Sequence, residues 1–529
     1  MKRTGWLVAG VVVAAGCAAS GPVPRGPVAA SKPVEAARPV LMRPAEIDAR
    51  MRAAWKEKGI EPAERVDDAG FFRRVNLDLT GRVPAAEAVE AFLADKSADK
   101  RQKAIDALLA SPDYAEHFTN YWDRVLMGRN VRKNVDHAEF RRWLHEQLEK
   151  NVGYDVWVRE LVSATGLTSA PRMAEQPVNG AANWYLRYMD NPPDLAGTTS
   201  RLFLGVRIQC AQCHDHKTEK WTMSDFQGFT ASFLSTRARL FYADDKDKKG
   251  LRAYDVEDLD RPRRAAKRMD IAEYKSAAPR ALDGTDLLSG GSKPRTALAE
   301  WITRKDNPWF ARAIVNRMWG VMLGRGFSEP VDDLRESNPP AMKDLLDTLA
   351  SDFVASGYDL KHLLRLMANT EAYQLTARPR GQRGDGAAWS YYHMEQLGPD
   401  ELLDSLIRAT GLPREKAERQ FSFLFDVDEE DDHDDEFDGT ITQALWLMNG
   451  KVMQRSIQIA PGSALAQVLS KPGGDEGKIR ALYMRTVSRP PTDEETTHWV
   501  TFLKGQPVRQ GYEDLLWVLL NSSEFLFNH

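Results

Sequence analysis

Met342-Lys343-Asp344-Leu345-Leu346-Asp347-Thr348-Leu349-Ala350-Ser351-Asp352-Phe353 repeats its apolar residues at helical spacing. Met342, Leu345, Leu346, Leu349 and Phe353 fall on one stripe. Gly357 follows as a C-cap candidate, and Leu360, Leu363, Leu364 and Met367 open a second stripe of the same period. The same grammar recurs on both sides of this stretch. From Pro44, the residues Ile47, Met51, Ala54 and Trp55 share a face. Ser111-Pro112-Asp113 starts a helix carrying Tyr114, Phe118, Tyr121 and Trp122, and Phe140–Leu148 carries Trp143, Leu144 and Leu148. Asp99 with Gln102, and Thr492 with Glu495, read as capping boxes. Phe71–Leu79 sets Phe, Val and Leu against Arg, Asn and Asp, and runs through Thr80-Gly81 to Pro84, read as a first helical position before Ala85–Leu93. Leu402–Ile407 is helical, and Leu515–His529 reads as one apolar terminal helix. No long alternating strand pattern occurs, so the expected fold class is mainly α.

The chain is 529 residues long, 43% hydrophobic and 28% charged, an ordinary globular composition able to bury a core. Its net charge of −4 gives no argument for nucleic acid as a partner. Two helical domains, 45–240 and 294–529, are expected on either side of a charged linker, 241–293. Asp244–Lys249 and Arg261–Arg268 are charge-dense there, and the stretch ends in Gly290-Gly291. Residues 1–17 read as a lipoprotein signal. Lys2 and Arg3 precede a short apolar run from Trp6 to Gly16, which ends at Cys17. The expectation is lipidation of Cys17, a membrane anchor, and a cell-envelope location, with Ala18 pointing to the outer membrane. Residues 18–44, rich in Pro, Ala and Gly, read as a flexible tether.

The chemistry concentrates in Cys210-Ala211-Gln212-Cys213-His214-Asp215-His216, which holds two of only three cysteines. Cys-x-x-Cys-His is the pattern of covalent c-type haem attachment: two thiols bond the vinyl groups and the adjacent imidazole reaches the iron. Two other readings stand beside it. One is a structural or redox disulfide, which an oxidising envelope favours for a close thiol pair. The other is a metal site, zinc for instance, on Cys210, Cys213 and histidines or carboxylates, since no second cysteine pair exists.

Under the haem reading, Cys210, Cys213 and His214 bind the cofactor. His214 is the proximal ligand. His216 is a candidate for another metal or a cap on a backbone group; in a helix it would point about 200° away from His214. Met223, Met189 and His529 are candidates for the sixth ligand. Arg207 and Lys217 are candidates for the propionates. Phe226, Phe229 and Phe233, at i, i+3 and i+7, read either as an aromatic wall for the haem or as ordinary core. A redox partner protein is the expected partner class. Asp332-Asp333 reads as a carboxylate pair open to metal binding, acid–base work or helix capping. The acidic run Asp426–Asp438 fails the calcium-loop pattern because Leu445 stands where its glutamate is needed. No Walker loop, dinucleotide fingerprint, zincin motif or nucleophile elbow occurs.

Several phrases together resemble a known pairing. Arg73-Arg74-Val75-Asn76-Leu77-Asp78-Leu79-Thr80-Gly81 with Pro84, and Gly205 to His216 with Trp221, are similar to one domain. Asn316-Arg317-Met318-Trp319, Gly324-Arg325-Gly326, Asp332-Asp333, Tyr373, Arg489-Pro490-Pro491 and Leu519-Leu520-Asn521-Ser522-Ser523-Glu524-Phe525 are similar to another. The pair resembles the domains of unknown function 1549 and 1553 of the planctomycete-type cytochrome-like envelope proteins, over roughly residues 45–529. The resemblance implies an envelope location and a haem reading of Cys-x-x-Cys-His, and no established activity. That family usually has Pro-Phe-Asp after the position of His216, where this chain has Lys217-Thr218-Glu219.

Overall fold

Residues 41–128, 134–170, 177–189, 191–243, 252–260, 277–380, 386, 388–414 and 448–529 are described by a computed structural model. Over them the protein is mainly helical. The first run is α1 (Pro44–Glu57), α2 (Asp68–Thr80), α3 (Ala86–Ala94), α4 (Lys100–Leu109), α5 (Pro112–Met127), α6 (His137–Glu149) and α7 (Tyr154–Ser163). After β1 (Gly166–Leu167) come α8 (Ala182–Arg187), α9 (Pro192–Leu204) and α10 (Met223–Ala231). Strands β2 (Thr236–Ala243) and β3 (Arg252–Asp258) follow. The second run is α11 (Pro294–Ile302), α12 (Phe310–Leu323), α13 (Lys343–Ala355) and α14 (Leu360–Ala368). It continues, after β4 (Glu395–Gln396), with α15 (Pro399–Thr410), α16 (Lys451–Ser456), α17 (Ala464–Ser470), α18 (Asp475–Thr486), α19 (Asp493–Lys504), α20 (Val508–Leu520) and α21 (Ser523–Leu526). β5 (Phe527–Asn528) ends it.

Two apolar clusters form the interior. The larger gathers side chains from Met42 to Tyr392, with Met484, and so draws on sequence from both sides of the 241–293 stretch. The smaller is built from Leu397 to Phe525, with Leu77 and Val83 added from the N-terminal part. Helix α2 serves both. Phe71, Phe72, Val75 and Leu79 enter the larger cluster and Leu77 the smaller. Each such buried side chain contributes about 1.5–3 kcal/mol.

Because α2 is enclosed on all sides, the polar residues between those anchors are buried too, and each needs a partner. Asn76 Nδ2 donates to the Phe72 carbonyl at 2.7 Å, and Thr80 Oγ1 to the Asn76 carbonyl at 2.7 Å. Arg73 donates to the carbonyls of Thr486 at 3.0 Å and Phe525 at 2.9 Å. Arg74 donates to the carbonyls of His529 (3.2 Å) and Tyr373.

Several local expectations are met. The Thr492–Glu495 capping box is present, and Ser111 accepts from the Tyr114 N–H. Gly81 ends α2 in the left-handed region. Others are corrected. Asp99 caps α4 without a side-chain bond, because its carboxylate pairs with Lys103 at 2.8 Å instead. Pro84 precedes α3, whose cap is Ala85. The terminal apolar stretch is three pieces, because Ser522 caps a new short helix and β5 then pairs with β4, Gln396 facing Phe527.

Strands also lie where none is visible in the sequence. β2 and β3 form an antiparallel hairpin, with β1 on the far side of β3, in the order β1-β3-β2. Arg252–Asp258, inside the charged stretch, is the central strand. Ala253, Tyr254 and Val256 are buried, and Asp255 and Glu257 pair across to Arg239 and Arg237 of β2. No helix among the described residues is long and apolar enough to cross a membrane.

Candidate functional site

Helix α9 delivers the Cys-x-x-Cys-His turn. Gly205 ends it with φ +65°, and its carbonyl accepts the Leu334 N–H at 2.7 Å. A Cβ on Gly205 would meet Leu334 at 3.0 Å, so the close approach also favours glycine. Val206 and Ile208 are buried, and one tight helical turn, Gln209–Gln212, follows. The turn lies directly on α9, since a Cβ on Gly197 would come within 2.7 Å of the Gln209 side chain. Ile208 and Ala211 point into the core. Cys210 and Cys213 are exposed free thiols.

His214 follows the turn and is exposed. Its Nδ1 lies 2.8 Å from the Asp215 carbonyl oxygen. A carbonyl only accepts, so Nδ1 carries the proton and Nε2 keeps its lone pair. His216 has the opposite tautomer. Its Nδ1 accepts the N–H groups of Thr218 (3.3 Å) and Glu219 (3.1 Å), so it caps the loop. The His216 N–H closes that loop on the Trp221 carbonyl at 2.8 Å. Asp215 Oδ1 accepts the Met223 N–H at 2.9 Å and ties the loop to the start of α10. Thr222 and Asp225 complete that start with a capping box. Residues 214–216 are therefore a stitched loop, and the helical geometry that would set His216 opposite His214 does not apply.

The other sequence candidates separate. Met223 is half-buried at the first position of α10, next to the bond from Asp215. Met189 packs against the large core. His529 belongs to the C-terminal corner, where its carbonyl takes Arg74 and its ring faces the Phe527 carbonyl; burial lowers its pKa. Phe226, Phe229 and Phe233 are fully buried among the core residues, which is their ordinary-core reading. Lys217 is exposed. Cys17 and the acidic run Asp426–Asp438 lie outside the described residues.

Arg207 is committed elsewhere. Its Nε and Nη2 donate to Asp332 Oδ1 at 3.1 and 2.6 Å. Arg201 of α9 donates to Oδ2 of the same carboxylate at 2.6 Å, and Arg317 of α12 stands 3.6 Å away. Burial pushes the Asp332 carboxyl up, but Arg317, Arg201 and Arg207 outweigh it and hold the pKa below the ordinary value. Asp333 pairs with Arg335 at 3.1 Å, and burial nonetheless raises it. The carboxylate pair is thus split between two cation sets, and Asp332 fastens the segment before the motif to α12. Ser337 donates to Glu219, a second tie between the motif loop and that region. Trp221 packs against Trp309, with ring centroids 6.3 Å apart. Asp332 and Glu219 were the missed partners: the residues are visible in sequence, but their distance along the chain from Arg207 and Ser337 hides the pairing.

Among the described residues, no three of His, Cys, Asp and Glu are grouped so as to hold a metal ion. A groove of about 480 Å³ lies along β1, β3 and the start of α11, and a cleft of about 150 Å³ between α5, α6 and α15; neither is lined by the motif.

Residues 46–238 match PSCyt2, a protein of unknown function (DUF1549), and residues 294–438 match PSD1, a protein of unknown function (DUF1553). The chain carries this DUF1549–DUF1553 pair, in that order. No curated protein and no solved structure matches it. The motif turn sits in the DUF1549 segment and Asp332 in the DUF1553 segment, so the Arg207–Asp332 bond joins the two matched regions. So does the Leu334–Gly205 bond at the end of α9.

Proposed function

We propose that Cys210, Cys213 and His214 form an attachment site for a c-type haem, on an envelope lipoprotein working in electron transfer or haem redox chemistry. The observation that supports this best is the His214 ring. Its Nδ1–H is held by the Asp215 carbonyl, which leaves Nε2 as the free donor, the arrangement that metal-bound histidines adopt. The two exposed thiols on one tight turn fit covalent bonding to vinyl groups. Haem, when bound, supplies a one-electron iron centre. Met223, whose N–H is held by Asp215, would be the candidate for a further ligand, and His216, already a cap, is not offered as one. Arg207 is held by Asp332, so propionate pairing falls to Lys217 or to solvent. Lipidation at Cys17 would hold the protein at a membrane facing the periplasm, where a redox partner protein meets it.

One observation favours a second reading. The motif is exposed, and neither described cavity reaches it. A haem-free envelope scaffold or carbohydrate-processing protein, with Cys210 and Cys213 as a disulfide or zinc clip, fits that exposure.

A pyridine haemochrome spectrum separates the two. The protein is expressed with a c-type maturation system and stripped of free haem with acid–acetone. An α band that stays with the wild-type chain and is lost in Cys210→Ala/Cys213→Ala supports the first reading. A colourless protein, with a disulfide by mass or stoichiometric zinc, supports the second and removes the first.

A further inference from the structure

The cleft between α5, α6 and α15 is built from Asn120, Asp123 and Arg124, the end of α5 at Gly128, His137 and Arg141, and Asp400. Its floor is Asp123, whose side chain is 9% exposed. His137 Nε2 lies 2.7 and 2.9 Å from the two Asp123 oxygens. A carboxylate only accepts, so Nε2 carries the proton, and the lone pair of the neutral ring is on Nδ1. Arg141 locks the arrangement from one turn further along α6. It donates to Asp123 at 2.8 Å and to Asn120 at 2.6 Å. On the opposite wall, Arg124 pairs with Asp400 at 3.3 Å.

This is a buried acid orienting a half-exposed imidazole in a concave site, with guanidinium groups beside it. The volume equals about five waters, enough for a small polar ligand. Among the described residues that line the cleft, two aspartates stand against two arginines, which suits a neutral molecule. We propose that it is a general-base site for hydrolysis of small neutral carboxylic esters, separate from the cysteine motif and independent of whether haem is bound. His137 Nδ1 takes a proton from water as the water oxygen bonds to the ester carbonyl carbon. Arg124 faces the oxygen that becomes negative. The acyl C–O bond then breaks, and the His137 proton passes to the departing alkoxide, giving one carboxylic acid and one alcohol. Asp123 is the positioning residue: it fixes the tautomer and touches no substrate.

The test uses the full chain and p-nitrophenyl acetate. Among the described residues, the charged groups about the cleft are Glu116, Asp123 and Arg124 of α5, Asp136 before α6, Arg141 of α6, Arg187 of α8 beside Gly128, and Asp400 of α15. Wild-type protein is expected to hydrolyse the ester faster than an equal concentration of free imidazole. The rate slows in deuterium oxide, and turnover leaves no acetyl adduct on the protein. His137→Gln lowers kcat about 100-fold or more. Asp123→Asn lowers kcat with KM unchanged, a split that a merely structural role would not give. If His137→Gln does not fold, carbethoxylation of the folded wild type mapped to His137 abolishes turnover in its place. A wild-type rate no better than imidazole, an unchanged rate with His137 substituted or blocked, or an acetylated histidine as the only product overturns the proposal.

Discussion

Tyr373 donates its hydroxyl to Asp78 Oδ2 at 2.5 Å, across 295 residues of sequence. Asn528 donates to the other oxygen at 2.5 Å and also meets the Tyr392 hydroxyl at 3.1 Å. Arg74, one turn before Asp78 on α2, lies over the Tyr392 ring at 3.6 Å. The Asp78 carboxylate thus fastens α2 to the short helical turn Ala372–Gln374 and to the last strand. Tyr373→Phe removes one buried bond and keeps the ring, at a cost of about 1–3 kcal/mol. Asp78→Ala leaves both the Tyr373 hydroxyl and the Asn528 amide buried without their acceptor, and should cost more than Tyr373→Phe. Thermal melts should rank wild type above Tyr373→Phe and that above Asp78→Ala; equal melting of the first two would show that the bond contributes nothing.

The same residue sets a pH dependence. Burial pushes Asp78 up to about 7, more than Tyr373, Arg74 and Asn528 hold it down. The folded state therefore binds the proton more readily than the unfolded chain, so this contribution is full below pH 3.8 and is lost as pH rises through 7. His117 acts in the opposite sense. Burial lowers it to about 4, so its contribution is full above pH 6.5 and is lost as pH falls through 4. Where both titrate, the two slopes oppose each other. The Tm of Asp78→Asn minus that of wild type should rise from about pH 4 to pH 7 and then level off. A difference that stays constant across that range would contradict the shift.

Gly81 joins these two groups. Its φ is +67°, and a Cβ there would lie 2.4 Å from His117 Nδ1. The ring cannot step aside easily, because His117 is buried and its edge packs on Phe118. Gly81→Ala adds backbone strain to an overlap and should cost more than about 1 kcal/mol. The paired variant Gly81→Ala/His117→Ala should recover part of that loss in the melting temperature. Equal losses in the single and double variants would place the whole cost in the backbone.

Much of the helical layout was legible because it is local. Ile47, Met51 and Trp55 keep one face of α1 in the core, and Thr492 with Glu495 caps α19, each within a few residues. α2 was legible only in part. Its alternation of Phe and Leu with Arg and Asp suggests a solvated side, and nothing local says that a second apolar cluster and the C-terminal strand cover it. β3 was hidden for a related reason: its pairing with β2 and β1 supplies what its charged composition does not. At the motif, residue identity exposed the thiols and His214. The loop stitching of His216 and the seizure of Arg207 by Asp332 required contacts 125 residues apart in the second case. Asp123 and His137 carry no shared motif, since they sit on different helices that only packing brings together.

Asp332 offers the sharpest test of how the motif turn is held. Its carboxylate takes Arg201 and Arg207 directly and stands 3.6 Å from Arg317, while its side chain is 5% exposed. Asp332→Asn keeps the shape and removes the charge, leaving buried Arg317 and two half-buried guanidiniums to repel one another. The expected loss is about 3–5 kcal/mol, the cost of removing one partner from a buried ion-pair cluster. Because its pKa is depressed, the wild-type contribution is present above pH 3.8 and is lost as pH falls through the lower folded value. The variant should therefore lie furthest below wild type near neutral pH and approach it in strong acid. Loosening of the Gly205–Ile208 segment should also speed alkylation of Cys210 and Cys213 by iodoacetamide. Unchanged thiol reactivity in a folded Asp332→Asn protein would mean that the turn is held by Ile208 and Ala211 in the core, and not by this carboxylate.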